Sequence, residues 1–252
     1  MNDRYALELA VGLVKRAAGV IMAVRARGFA VGAKPDNSPV TEADRSAERL
    51  ITEALRAATP DVPVVAEEEE SGQDRAAPEG AFWLVDPLDG TREFAAGRDD
   101  FTVNIGLVRD GRPVLGAVAL PAYDEVFSGI VGEGAWKETP HGRQMIAARS
   151  PPPEGLTVMA SRHYADDPKL AAMLRTVPVA KLTNVGSAVK FMRVAEGMAD
   201  FYPRMGRTME WDTAAPQAVL EAAGGSVNLM DGGALLYGKP NWVNPPFLCR
   251  GR

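Results

Sequence analysis

The apolar run Phe82-Trp83-Leu84-Val85 passes directly into Asp86-Pro87-Leu88-Asp89-Gly90-Thr91. A short apolar run bounded by turn residues reads as a buried strand. Its end nevertheless carries two carboxylates three residues apart, which are costly at the edge of a core without a counter-charge. The chain must fold so that this strand end either opens into an ordinary polar turn or faces a cation.

The surrounding pattern alternates helix and strand. From Arg4 to Arg27, apolar residues recur in steps of three and four at Leu9, Leu13, Val14, Ala17, Val20, Ile21 and Val24, which predicts a long amphipathic helix. Residues 34–40 (KPDNSPV) are turn-rich, and Thr41 opens a second helix to about Ala58. Pro63 to Ala66 reads as a short strand running into the four glutamates 67–70, and a polar loop through Gly80 precedes the strand 82–85. The stretches 101–108, 114–120 and 125–131 are strand-like. Asp110-Gly111 between the first two is a hairpin signal, so the three form an antiparallel meander. In the second half, strands over 157–161, 181–185 and 199–202 alternate with helices over 168–175, 187–196 and 213–223, the last stopped by Gly224-Gly225. The class is α/β, or α+β in layers. Ser150-Pro151-Pro152-Pro153 marks a boundary between two intimate subdomains, 1–149 and 150–252.

Composition narrows the choice of cation. One cysteine and two histidines make a zinc or iron site of Cys/His type a poor fit, so any metal here is a hard ion held by oxygens. The same single cysteine rules out an internal disulfide and suits a reducing cytoplasm. A net charge of -5 offers no basic face to a nucleic-acid polymer or a membrane surface. No run approaches the roughly 20 apolar residues of a membrane span, and the N-terminus is unlike a signal peptide. A cytoplasmic protein is expected.

Five acids stand at element ends: Asp44, Glu67, Asp86, Asp89 and Asp212. Each has a plain reading. Asp44 completes a capping box begun at Thr41; Glu67 heads an acidic run of the kind that usually faces water; Asp86 and Asp89 shape a turn; Asp212 caps the helix that starts at Thr213. Together they read differently, because three of them follow apolar stretches and would converge where α/β proteins build their sites. Two or three magnesium ions need such a carboxylate set, and would offset the repulsion within it. Gly90 and Thr91 fit the same picture: a helix starting near Thr91 would aim free N–H groups at an anion, and glycine lets a phosphate approach the main chain.

WLVDPLDGTREF (83–94) resembles the signature of the inositol monophosphatase superfamily, and WDTAAPQAVLEAAGG (211–225) resembles its second motif. The likeness continues through DNSPVTEAD (36–44), PVVAEE (63–68), GSAVKFMRVAEG (186–197) and ADFYPRMG (199–206), covering essentially the whole chain. Within the superfamily, GSAVKF and YPR are most similar to the bacterial 3'(2'),5'-bisphosphate nucleotidases of the CysQ type. The resemblance implies a sugar-phosphatase-like sandwich of alternating helix and sheet layers. It implies that Glu67, Asp86 and the Leu88 carbonyl hold one magnesium and that Asp86, Asp89 and Asp212 hold a second. Asp44 and Thr91 would orient and deprotonate the attacking water, with a third ion also touching Glu67. Ser187, Lys190 and Arg204 match contacts to the nucleotide, unless Lys190 and Arg204 are ordinary surface charges. Ala66, Glu69, Glu70 and Glu210 depart from the pattern, and Glu210 puts the nearby pocket in doubt.

The implied activity is removal of the 3'-phosphate from adenosine 3',5'-bisphosphate, serving sulfur metabolism. Inositol monophosphate or fructose 1,6-bisphosphate hydrolysis by the same chemistry is the alternative, and a non-catalytic regulatory protein on this scaffold a third. Relatives include monomers and homodimers, and some are peripheral at the inner membrane.

Overall fold

The computed structural model describes residues 2–34, 39–70 and 77–252. Most of the turn-rich stretch 34–40 and part of the polar loop before Gly80 lie outside the described residues.

α1 (Asp3–Arg27) is capped by the Asn2 side chain and buries Ala6, Ala10, Leu13, Val14, Ala17, Ile21 and Val24. β1 (Val31–Ala33) pairs antiparallel with β2 (Pro39–Thr41), and α2 (Glu42–Ala58) follows at once. Its start is the expected capping box: Thr41 Oγ1 accepts from Ala43 N–H, and Asp44 Oδ2 accepts from Thr41 N–H at 2.7 Å. β3 (Val64–Ala66) leads into α3 (Glu67–Glu70), a single turn. β4 (Ala81–Asp89), the short helix α4 (Thr91–Ala95), β5 (Thr102–Arg109), β6 (Arg112–Leu120), β7 (Glu125–Ile130), β8 (Gly134–Thr139) and β9 (Gly142–Ile146) follow. β3 to β9 make a seven-stranded sheet in chain order. β3 runs parallel to β4, and the rest is an antiparallel meander. Asp110 (φ 50°) and Gly111 (φ 72°) both take the left-handed conformation of a tight hairpin turn.

The second half comprises β10 (Leu156–Ser161), α5 (Pro168–Leu174), β11 (Val179–Val185), α6 (Val189–Ala195), β12 (Phe201–Arg204), β13 (Thr208–Met209), α7 (Ala214–Ala222), β14 (Ser226–Leu229), β15 (Val243–Asn244) and β16 (Phe247–Arg250). Its five-stranded sheet has the order β11-β10-β12-β16-β14. The helix expected from Ser187 begins two residues later, because Ser187 takes a positive φ of 55° that no α-helix accepts. The strand expected over 199–202 is shifted to Phe201–Arg204.

The layers alternate as expected. Successive β6 residues point to opposite faces: Ala117 and Ala119 pack with α1 and α2, whereas Val118 and Leu120 pack with α6, α7 and the second sheet. α5 covers the far side of that sheet through Met173 and Leu174 against Val158, Phe201 and Leu248. Two glycines set the spacing of the middle layer. A Cβ on Gly106 would lie 2.7 Å from Ala215 N, and one on Gly116 would overlap the Ala215 carbonyl, so α7 rests on bare backbone. This close approach also seats Asp212, two residues before α7. Gly116→Ala should lower stability by about 1–3 kcal/mol through overpacking, measured by thermal unfolding, and should weaken activity by lifting Asp212. Among the described residues, no helix is long and apolar enough to cross a membrane.

Candidate active site

β4 carries its apolar run between β3 and β5, one strand in from the sheet's edge, and then loses the ladder: its register against β5 slips between Asp86 and Asp89. Pro87 in between has no N–H to donate. Asp86 Oδ1 accepts from Leu88 N–H at 3.0 Å, so the turn-shaping reading of Asp86 holds together with any other role. Gly90 (φ 94°) makes the corner, and a Cβ there would lie 2.8 Å from the Asp100 carbonyl oxygen. Only glycine fits, and the corner delivers Thr91. Thr91 Oγ1 lies 2.9 Å from Asp44 Oδ1 and 3.0 Å from the Leu88 carbonyl oxygen. Asp44 therefore does two things at once. Its Oδ2 takes the Thr41 N–H and hydroxyl in the capping box, leaving Oδ1 for Thr91.

Glu67, Asp86, Leu88, Asp89 and Asp212 line one cavity of about 740 Å³, with Gly90, Thr91, Ser187, Lys190 and Arg204 on its walls. Asp44 is buried behind Thr91. Each acid is turned toward a protein donor. Lys34 Nζ is 2.6 Å from Glu67 Oε1 and 2.6 Å from Glu68 Oε1. Ala188 N–H donates to Asp89 Oδ2 at 2.6 Å, and Met209 N–H donates to Asp212 Oδ2 at 2.9 Å. Accordingly, among the described residues no three of these side chains already enclose a common point as a metal cage. Asp212 is also not a helix cap: Thr213 occupies the N-cap of α7, and Asp212 closes a turn back to β13. The solvated reading of the glutamate run fails as well, since Glu70 is buried and Glu67 to Glu69 are half-buried.

The electrostatics favour a cation. Burial, then the charges of Glu67, Asp89 and Asp212, push Asp86 well above the usual carboxylate range. Burial, then Asp89 and Glu67, does the same to Asp212. Burial raises Glu67 against the pull of Lys34, and raises Asp89 against the pull of Lys190. An all-oxygen donor set that repels itself in a sheltered cavity fits a hard divalent cation, which would relieve both penalties.

Two cations line the same cavity beside the acids. Lys190 is 2% exposed, donates to the Val185 and Ser187 carbonyls at 3.1 and 2.5 Å, and stands 5.2 Å above the Tyr202 ring. Burial, then the neighbouring Arg204 charge, lowers its pKa to about 7. Arg204 donates to the Arg207 carbonyl at 2.9 Å, and its Nε meets no acceptor among the described residues. Neither is an ordinary surface charge. Ser187 Oγ is 3.0 Å from Thr102 Oγ1. The doubt raised by Glu210 disappears: its buried carboxylate accepts from Gly238 and Lys239 N–H at 2.7 and 2.8 Å, bracing the turn that follows β14. Lys34 and Arg207 belong to the cavity without having been singled out from sequence. A lysine in a turn-rich stretch has no local mark of burial; only the pairing of β1 with β2 carries it to Glu67.

The inositol monophosphatase family model matches residues 2–247. The 3'(2'),5'-bisphosphate nucleotidase CysQ of Escherichia coli O157:H7 is 42% identical over 93% of this chain and 95% of its own length. That of Salmonella typhimurium LT2 is 41% identical over 96% and 98%. The crystal structure of CysQ from Bacteroides thetaiotaomicron superposes with a TM-score of 0.81 at 30% identity, covering 98% of this chain and 97% of that one. An inositol monophosphatase from Anabaena superposes at 0.77 and 27% identity, over 99% and 92%. A match running from the first helix into the last strand, through every segment that walls the cavity, means that the chain belongs to the inositol monophosphatase family, a family of metal-dependent phosphatases.

Proposed function

We propose that the protein is a cytoplasmic, magnesium-dependent 3'(2'),5'-bisphosphate nucleotidase that converts adenosine 3',5'-bisphosphate to AMP and phosphate. The observation that carries the substrate is that the cavity lined by the acid cluster also holds two cations, buried Lys190 and half-buried Arg204. The acids suit the cations that activate a phosphate being cleaved, and Lys190 and Arg204 suit a second phosphate that is only held. The names of the relatives support the same substrate.

Glu67, Asp86, the Leu88 carbonyl, Asp89 and Asp212 would hold two or three magnesium ions, which when bound make a water more acidic and neutralise phosphate charge. Thr91 Oγ orients the attacking water, and its proton passes through that hydroxyl to Asp44 Oδ1, the one Asp44 oxygen not committed to the capping box. The water oxygen bonds to phosphorus as the bond to the 3'-oxygen breaks, and the leaving oxygen takes a proton from solvent. Gly90 and Thr91 offer the main chain to the scissile phosphate, while Ser187, Lys190 and Arg204 hold the rest of the nucleotide.

Phosphate release from adenosine 3',5'-bisphosphate, inositol 1-phosphate and fructose 1,6-bisphosphate, with and without magnesium, tests this reading. The expected kcat/KM for the nucleotide is at least ~100-fold higher, about 2.7 kcal/mol of discrimination. Comparable rates on the other two esters would overturn the substrate, and turnover without magnesium would overturn the metal.

A further inference from the structure

One face of β5 is out of keeping with its burial. Successive residues of a strand face opposite ways, and Val103, Ile105 and Leu107 pack into the core beside α1. The other face carries Thr102, Asn104 and Gly106. Gly106 is explained by the close approach of α7. Thr102 and Asn104 are both 0% exposed, and a buried hydroxyl and carboxamide cost free energy unless their hydrogen bonds are made. The register of β4 against β5 sets Asn104 opposite Asp86 and Thr102 opposite Asp89, so this polar strip lies directly behind two of the acids.

The hydrogen bonds of the strip run one way. The Ser187 hydroxyl donates to the Asp89 carboxylate. Ser187 Oγ also lies 3.0 Å from Thr102 Oγ1, and with its one hydrogen spent on Asp89 it accepts there. Thr102 Oγ1 lies 3.1 Å from the Asn104 carboxamide and has no hydrogen left for it. The carboxamide therefore donates, with its NH2 turned toward Thr102, since its two ends are told apart by the bonds they can make. That orientation also pairs a buried NH2 group that otherwise meets no acceptor among the described residues.

We propose that Thr102 and Asn104 are positioning residues for the metal centre. The chain of donors from Asn104 through Thr102 and Ser187 ends on Asp89 and fixes the way its carboxylate faces. This rests on the magnesium reading above. Ser187 joins the two ends of the substrate site: its hydroxyl serves Asp89, and its carbonyl serves the nucleotide by accepting from Lys190 Nζ at 2.5 Å. The chain acts on magnesium affinity whichever ester is bound, unlike the ammonium of Lys190.

The test sets Thr102→Val, which keeps the shape and loses the hydroxyl, beside Thr102→Ser, which keeps the hydroxyl and loses a methyl. Asn104→Leu removes the first donor. Magnesium is titrated without substrate and read from the rise in melting temperature. Thr102→Val and Asn104→Leu should raise the magnesium Kd by about 10-fold or more, with Thr102→Ser within about threefold of wild type, as for groups that orient a metal ligand. The magnesium concentration for half-maximal turnover should move by the same factor on adenosine 3',5'-bisphosphate and on inositol 1-phosphate. The Ala188 N–H, whose acceptor is Asp89 Oδ2, reports on the chain in the metal-free protein. It should exchange with deuterium about 10-fold faster in Thr102→Val and at the wild-type rate in Thr102→Ser. A Thr102→Ser variant weaker than Thr102→Val would make the methyl's packing the cause and overturn the chain. Wild-type magnesium affinity in Thr102→Val or Asn104→Leu would overturn it too. A wild type that gains no stability from magnesium would remove the magnesium reading instead. The metal-free exchange then decides the chain, since faster exchange in Thr102→Val supports it and unchanged exchange removes it.

Discussion

Asp89→Asn is expected to cut kcat at saturating magnesium by at least ~10³-fold, about 4 kcal/mol of transition-state stabilisation, without unfolding the protein. The two halves of that expectation have separate causes. Asparagine keeps an oxygen for the Ala188 N–H, which is the bond Asp89 makes in the fold. It removes one of the buried negative charges that hold Asp86 and Asp212 above the usual carboxylate range. The metal-free protein should therefore melt no lower than wild type, because its acids repel less. The rise in melting temperature on adding magnesium should shrink, since stabilisation by a ligand follows its affinity. Thermal melts with and without magnesium, beside turnover, check both halves. Near-normal turnover would remove Asp89 from the ligand set, and a collapse of the metal-free melt would make it a structural residue.

Lys190→Met should act on the part of the substrate that is held rather than cleaved. Methionine approximates the volume of the buried stem and loses the ammonium. The Val185 and Ser187 carbonyls lose a donor, at a cost of about 1–3 kcal/mol, offset in part by no longer burying a charge close to Arg204. The kcat/KM for adenosine 3',5'-bisphosphate should fall about 30- to 100-fold, near 2–2.7 kcal/mol, as expected for losing a charge-assisted contact to phosphate. Turnover of inositol 1-phosphate should stay within a few-fold. Steady-state kinetics on the two substrates separate the outcomes: an equal loss on both would mean that Lys190 supports the 185–190 loop and reads no second phosphate.

Much of the fold was legible along the chain, because the deciding physics is local. The period of α1, the Thr41–Asp44 capping box and the Asp110-Gly111 hairpin are each settled within a few residues. Short strands such as β13 and β15 carry too few residues for a period, and their pairing joins segments some 35 residues apart. The start of α6 is not legible locally, because the left-handed Ser187 is imposed by its place between β11 and the acids, with nothing in a serine to announce it.

The site divides along the same line. By itself, the sequence determined the chemical kind of the centre: an all-oxygen set of acids, a glycine corner and a threonine, on motifs long enough to name the family. Tertiary structure alone decided what each charge meets. It brought Lys34 onto Glu67, buried Lys190 under its carbonyls, turned Glu210 away into the Gly238 turn and set Thr102 against Ser187. The physical reason is that a side chain's chemistry travels with its residue type, whereas burial and charge partnership belong to pairs of residues, here tens of positions apart, that no local pattern brings together.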